Sequence, residues 1–226
     1  MEYVEIARAE TERGELVLRE RRPEDGPAVL ELRANGVFVM DTIETSTERA
    51  LASAALRLVD QPRAVVVGGL GLGFTMHEVL ADHRVERCAV VEIEESLVTW
   101  MRNGTVPHGP ALLADQRVHL VVADIALALT EARPASYDLI LLDVDNGPGY
   151  LVHARNAALY EPPLLGAARD VLRPGGALAI WSADPAPALA ASLDAVFGAS
   201  EVYPHEVLLQ GREERYWLYV GRPRAE

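Results

Sequence analysis

Apolar residues 64–67 run without a polar break, Ala64-Val65-Val66-Val67, and lead straight into Gly68, Gly69, Gly71 and Gly73. An unbroken apolar run of this length reads as a parallel strand buried on both faces, and the glycines as a tight turn at its carboxyl end. A helical pattern from Phe74 to about Ala81 follows. Further strand-like runs are Cys88–Ile93, Arg117–Ala123, Tyr137–Leu142 and Ala177–Trp181. Between them, 94–102, 160–172 and 185–197 carry apolar residues at helical spacing, with Pro162 and Pro163 in a first turn, where proline is tolerated. Strands alternating with helices predict an α/β chain with a mostly parallel sheet. The last two strand-like runs, Glu201–Leu209 and Arg215–Val220, are joined by too few residues for a crossover helix, so they should pair antiparallel.

The first forty residues follow a different rhythm. Tyr3–Ala7, Glu15–Arg19, Val29–Arg33 and Val37–Met40 are short β-prone runs divided by Arg13-Gly14, by Arg22-Pro23-Glu24-Asp25-Gly26-Pro27 and by the hairpin dipeptide Asn35-Gly36. They predict a small antiparallel sheet over residues 1–44, too small to stand alone, ahead of a main domain at 45–226. Thr45 and Glu48 have capping-box spacing before a helix over about 46–59. Residues 104–116 and 146–159 read as loops, the second lying over the carboxyl edge of the sheet.

The chemistry gathers at that edge. Gly69-x-Gly71-x-Gly73 lacks the Lys-[Ser/Thr] ending of a phosphate-cradling loop, and its spacing departs from the common dinucleotide pattern. Glu92 ends the next strand, about 20 residues on, where an acid meets ribose hydroxyls. Asp124 and Asp143 end the third and fourth strands, the latter opening Asp143-Val144-Asp145-Asn146-Gly147. Ligands bind at this edge in open parallel sheets. A nucleoside without pyrophosphate, such as S-adenosylmethionine, fits better than a dinucleotide.

Composition narrows the rest. The 226 residues are 50% apolar, enough for one good core, and no apolar run approaches the roughly 18 residues of a membrane span. The opening residues lack a secretory signal pattern, so a cytoplasmic setting without membrane association is expected. A net charge of −13 argues against nucleic-acid partners and favours a cationic one. The basic residues are all arginine, which excludes Schiff-base chemistry on lysine. The one cysteine, Cys88, sits in a strand and reads as core, and no metal-ligand pattern occurs.

In order along the chain, NGVFVMD, GGLGLG, VVEIE, VAD, YDLILLDVDN and LRPGG resemble the spermidine synthase family of polyamine aminopropyltransferases. The resemblance implies a Rossmann-like class I methyltransferase fold: a mostly parallel seven-stranded sheet with a C-terminal antiparallel hairpin, plus the small N-terminal antiparallel β-sheet. It implies decarboxylated S-adenosylmethionine or S-adenosylmethionine as cosubstrate and a small-molecule amine as acceptor; no metal is expected, and the exposed edges of the small N-terminal sheet predict a homodimer. Gly69, Gly71 and Gly73 would border the nucleoside, Glu92 the ribose and Asp124 the adenine. Asp143 would act on the reacting amine, with Asp145, Asn146 and Tyr150 against the substrate. The family's turn carries an aspartate where this chain has Gly71, its D-x-x-D ends here in Asn146, and its Tyr-Gln pair falls on Thr47 and Glu48. A small-molecule methyltransferase and a non-catalytic nucleoside- or polyamine-binding protein remain alternatives.

Overall fold

The structure, a computed structural model, describes residues 2–24, 26–209 and 212–223. Asp25, in a segment that divides two strands, and Gln210-Gly211, in the short final connection, lie outside the described residues. The amino-terminal strands β1 (Glu2–Thr11), β2 (Gly14–Arg22), β3 (Val29–Ala34) and β4 (Val37–Asp41) form an antiparallel sheet in that order. The predicted Asn35-Gly36 turn joins β3 to β4, with both residues at positive φ.

Helix α1 (Ser46–Arg57) then leads to β5 (Ala64–Gly68), α2 (Phe74–Ala81), β6 (Arg87–Glu92) and α3 (Glu95–Asn103). Next come α4 (Gly109–Leu113), β7 (Val118–Val122), α5 (Ile125–Glu131) and β8 (Tyr137–Leu142). A 3₁₀ segment at Ala154–Tyr160 precedes α6 (Pro162–Val171), β9 (Leu172–Ser182), α7 (Pro187–Phe197), β10 (Ser200–Leu209) and β11 (Arg212–Gly221).

Among the described residues the main sheet has the order β10-β11-β9-β8-β5-β6-β7. Strands β5 to β9 pair parallel, and β11 pairs antiparallel with both β9 and β10, as the short final connection required. The chain builds outward from β5 first through β6 and β7 and then, on the other side, through β8 and β9. That reversal opens a crevice at the carboxyl ends of β5, β6 and β8.

Strand periodicity divides the core. Val65 and Val67 face a layer formed with Leu51 of α1, Met76 and Val79 of α2 and Leu97 of α3, whereas Val66 faces Ile125, Leu129, Leu165 and Leu189 from α5, α6 and α7. The amino-terminal sheet joins the first layer through Leu16, Leu18, Leu32, Ala34 and Met40. Cys88 is fully buried there, and burial pushes its thiol up to about 12, the environment of an inert core residue.

Two local expectations are corrected. The Thr45–Glu48 capping box does not form: Thr45 makes no side-chain cap, and its hydroxyl accepts from Arg49 Nε instead. Helices α4 and α5 occupy stretches read as loop or left unassigned. Strand β7 is the sheet's edge among the described residues and leaves Val121 and Val122 each 43% exposed.

Candidate active site

The glycine turn is stitched to both neighbouring strands: Gly69 N donates to the Val91 carbonyl at 2.9 Å and Asp143 N to the Gly68 carbonyl at 2.8 Å. Gly69 has φ +100°, and a Cβ on it would stand 2.2 Å from the Asp143 carbonyl oxygen, so no side chain fits. Glu92 clamps the same turn. Its carboxylate accepts from Leu70 N at 2.8 Å and Glu94 N at 2.7 Å, while burial raises its pKa above the ordinary carboxylate range. His108 adds a further tie, with Nε2 donating to the Leu72 carbonyl at 2.7 Å.

A cavity of about 350 Å³ opens above the turn, within the size range of small-molecule sites. At one end its wall includes Gly69, Leu70, Gly71, Ile93, Leu97, Ala123 and Ile125 beside Glu92. The β1–β2 turn reaches across this end: Arg13 Nε donates to Glu94 at 2.7 Å and its Nη2 to the Ile93 carbonyl at 2.9 Å. Glu94 keeps one carboxylate oxygen buried and without a partner, a position that a hydroxyl or amino donor of a ligand would satisfy.

The other end is acidic. Asp143 accepts from the Thr75 hydroxyl, and burial pushes its carboxyl up to about 6 against that hydrogen bond. Glu48 lines the same cavity from α1, and burial together with the nearby Asp143 charge pushes it up to about 7. Asp145 is buried and turned to its own loop. It accepts from Val152 N at 2.6 Å, from Asn156 Nδ2 and from the Tyr160 hydroxyl at 3.3 Å, and so fastens the segment that covers the cavity.

Asn146 and the exposed Tyr150 lie in that covering segment and line the cavity, with the Tyr150 hydroxyl hydrogen-bonded to Asp184. The cavity thus gathers Gly69, Gly71, Glu92, Asp143, Asp145, Asn146 and Tyr150. Two expected residues stand outside its lining. Asp124 is exposed and caps α5, accepting from Ala126 N at 2.8 Å, and Gly73 begins α2 and packs toward Leu112 and Met101. Thr75, Glu48, Arg13 and Glu94 line the cavity without having been singled out as ligands from the sequence, and His153, a weaker sequence candidate for substrate contact, lines it as well.

Residues 44–202 match the spermine/spermidine synthase domain family, most of the main sheet and the whole glycine-turn edge included. The chain belongs to that family. Polyamine aminopropyltransferase 2 of Pseudomonas aeruginosa is 32% identical over 171 residues, 71% of this chain and 47% of that protein. Putrescine N-methyltransferase 3 of Nicotiana tabacum is 34% identical over 118 residues, 52% of this chain and 29% of that protein. The chain therefore spans about half or less of the length of these relatives. Among solved structures, spermidine synthase in complex with the transition-state analogue AdoDATO superposes with a TM-score of 0.79 at 19% identity, over 96% of this chain and 73% of that one. Human methyltransferase-like protein 13 in complex with SAH superposes at 0.58 with 22% identity, over 80% of this chain and 83% of that one. These likenesses place the spermine/spermidine synthase domain here on the class I methyltransferase-type fold, with its seven-stranded sheet and closing hairpin.

Proposed function

We propose that the chain transfers an alkyl group from an S-adenosyl cosubstrate to an aliphatic amine, a reaction of the polyamine-forming type. The supporting observation is one cavity holding both Glu92 at the glycine turn and the recessed, Thr75-bonded Asp143. The sulfonium of the cosubstrate supplies the activated carbon. Glu92 and Glu94 receive the ribose and neighbouring donors, and the walls from Ile93 to Ile125 take the adenine. Asp143 orients the amine so that its lone pair meets the carbon bonded to sulfur; as the C–N bond forms, the C–S electron pair returns to sulfur, and the proton left on nitrogen passes to Asp143. Alignment of this kind contributes up to about 7 to 11 kcal/mol, and the carboxylate roughly 10² to 10⁴ in rate. The test is turnover with putrescine and either form of the cosubstrate. Release of methylthioadenosine or of S-adenosylhomocysteine supports alkyl transfer, and release of neither contradicts it.

One observation favours methyl over aminopropyl transfer. A Cβ on Gly71 would stand 2.6 Å from Met40 Sδ, which already accepts from Leu72 N at 3.1 Å. The place of the family's aspartate is therefore closed by a buried thioether as well as lost. An ammonium on the aminopropyl tail has no carboxylate at this point. Decarboxylated S-adenosylmethionine is expected to bind less than about tenfold tighter than methylthioadenosine in calorimetric titration. A hundredfold preference would restore ordinary aminopropyl transfer, and tight binding of intact S-adenosylmethionine would establish the methyltransferase.

No helix among the described residues is long and apolar enough to cross a membrane. We assign the acidic chain a cytoplasmic setting, with a small-molecule rather than a nucleic-acid partner. Tyr3 and Ile6 on edge strand β1, and Val37 and Phe38 on edge strand β4, are exposed. Burying these edges in a second copy is the expected outcome, giving a homodimer. Sedimentation at micromolar concentration checks it, and a monomer rejects it.

A further inference from the structure

Glu94 occupies the cap position of α3, yet its side chain makes no cap bond. Its carboxylate is held from outside the main sheet instead: Oε1 accepts from Arg13 Nε at 2.7 Å, while Oε2 is buried with no hydrogen-bond partner among the described residues. A buried carboxylate oxygen left without a donor is costly, and in the wall of a cavity it marks a place for one. Glu92 differs, with both oxygens already accepting from the backbone, one from Leu70 N and one from Glu94 N.

Arg13 is aimed by a tie between two hairpin turns. Asn35 accepts from Glu15 N through Oδ1 at 2.9 Å, donates from Nδ2 to the Arg13 carbonyl at 3.2 Å, and donates from its own N to the Glu15 carbonyl at 2.8 Å. Gly14 lies against the Asn35 amide with φ +109°, where a Cβ would collide with Oδ1. Arg13 N closes the turn on its other side, donating to Thr11 Oγ1 at 3.2 Å. From this tie the guanidinium reaches both Glu94 and the Ile93 carbonyl, the one arginine in the described wall of the cavity. The charges of Glu94, Glu92 and Asp124 all draw it there.

We propose that Arg13 is a positioning residue for the nucleoside: through the Asn35 tie, the amino-terminal sheet uses it to turn Glu94 so that Oε2 receives a donor of the ligand. This rests on the nucleoside assignment of the cavity and adds to it a residue of the amino-terminal sheet on which that binding depends. Without the guanidinium, the Glu94 carboxylate is free to turn to solvent or to the unpaired N–H groups at the start of α3, and the acceptor leaves the cavity. Ligand and Arg13 favour the same placement of Glu94. Nucleoside binding and docking of the β1–β2 turn are therefore coupled, and the coupling is reciprocal.

The experiment is calorimetric titration of methylthioadenosine into the wild type, Arg13→Ala, Glu94→Gln and the double variant, joined to hydrogen exchange at the Arg13 and Glu15 amides of the wild type with and without the nucleoside. Each single variant is expected to bind about tenfold or more weakly, and the double variant within about threefold of the weaker single one, because both changes remove the same contact. The nucleoside is expected to slow exchange of the two amides by about threefold or more. Affinity of Arg13→Ala within about threefold of the wild type, additive losses in the double variant, or exchange that the nucleoside leaves unchanged each overturns the proposal. A side chain that merely fastened the sheet would lower the melting temperature and leave affinity unmoved. The exchange arm decides even if a variant does not fold. Failure of methylthioadenosine to bind the wild type overturns the nucleoside assignment and this proposal with it, whereas wild-type binding with any of the three contrary results overturns this proposal alone.

Discussion

Replacing Asp143 by Asn is expected to lower turnover by about 10² to 10⁴ while nucleoside affinity stays within a few-fold. The amide keeps the size of the carboxyl and its contact with Thr75, yet it cannot take the proton left on nitrogen by the alkylated amine. Because burial raises Asp143 to about 6, the wild-type rate should climb as pH rises through that value, where the working anion forms. Stability should move the other way. A carboxyl whose folded pKa lies above its unfolded value of 3.8 favours the folded state most below that value, and this contribution is lost as pH rises through about 6. Asp143→Asn has no such loss, so at pH 8 it should unfold at a higher temperature than the wild type, and the difference should shrink toward pH 4. Steady-state kinetics and thermal unfolding across this range check both directions. Loss of nucleoside binding together with turnover would make Asp143 a wall of the cavity rather than the proton acceptor.

Glu92→Ala is expected to weaken methylthioadenosine binding by about 1 to 3 kcal/mol and to lower the melting temperature as well. The first effect is the loss of a charge-assisted bond to the ribose hydroxyls. The second arises because Leu70 N and Glu94 N, which the carboxylate accepts from, lose a buried acceptor. Calorimetry and thermal unfolding on the same variant separate the two. A lowered melting temperature with unchanged affinity would confine Glu92 to holding the turn.

Strand β5 and its turn were legible because both rest on local necessities: a strand buried on both faces is apolar without interruption, and positive φ at Gly69, Gly71 and Gly73 favours glycine. Edge and interior are not local properties. The run ending in Val121 and Val122 reads as a strand like its neighbours, and only the sheet order makes it an edge. Helix α5 covers only seven residues and is apolar on most sides, too short to display a helical period. Its cap, Asp124, was legible only as a strand-end acid, and a carboxylate there serves as a helix cap, as a ligand acid or as both.

The same ambiguity governs the acidic loop. Asp143 and Asp145 are alike in sequence, but β8 presents the first to the cavity, while Asn156 and Tyr160 return from downstream to claim the second. Glu48 was hidden behind a plausible alternative, the capping box with Thr45. Its spacing from Thr45 was visible, but its place beside Asp143 depends on how α1 packs against β8, β9 and β10.

The most direct test of the cavity's assignment is a crystal structure of the protein with methylthioadenosine and 1,4-diaminobutane. The account predicts ribose hydroxyls on Glu92, adenine between Ile93 and Ile125, and one amino group of the diamine beside Asp143. A nucleoside bound elsewhere, or a diamine seated away from Asp143, would contradict it.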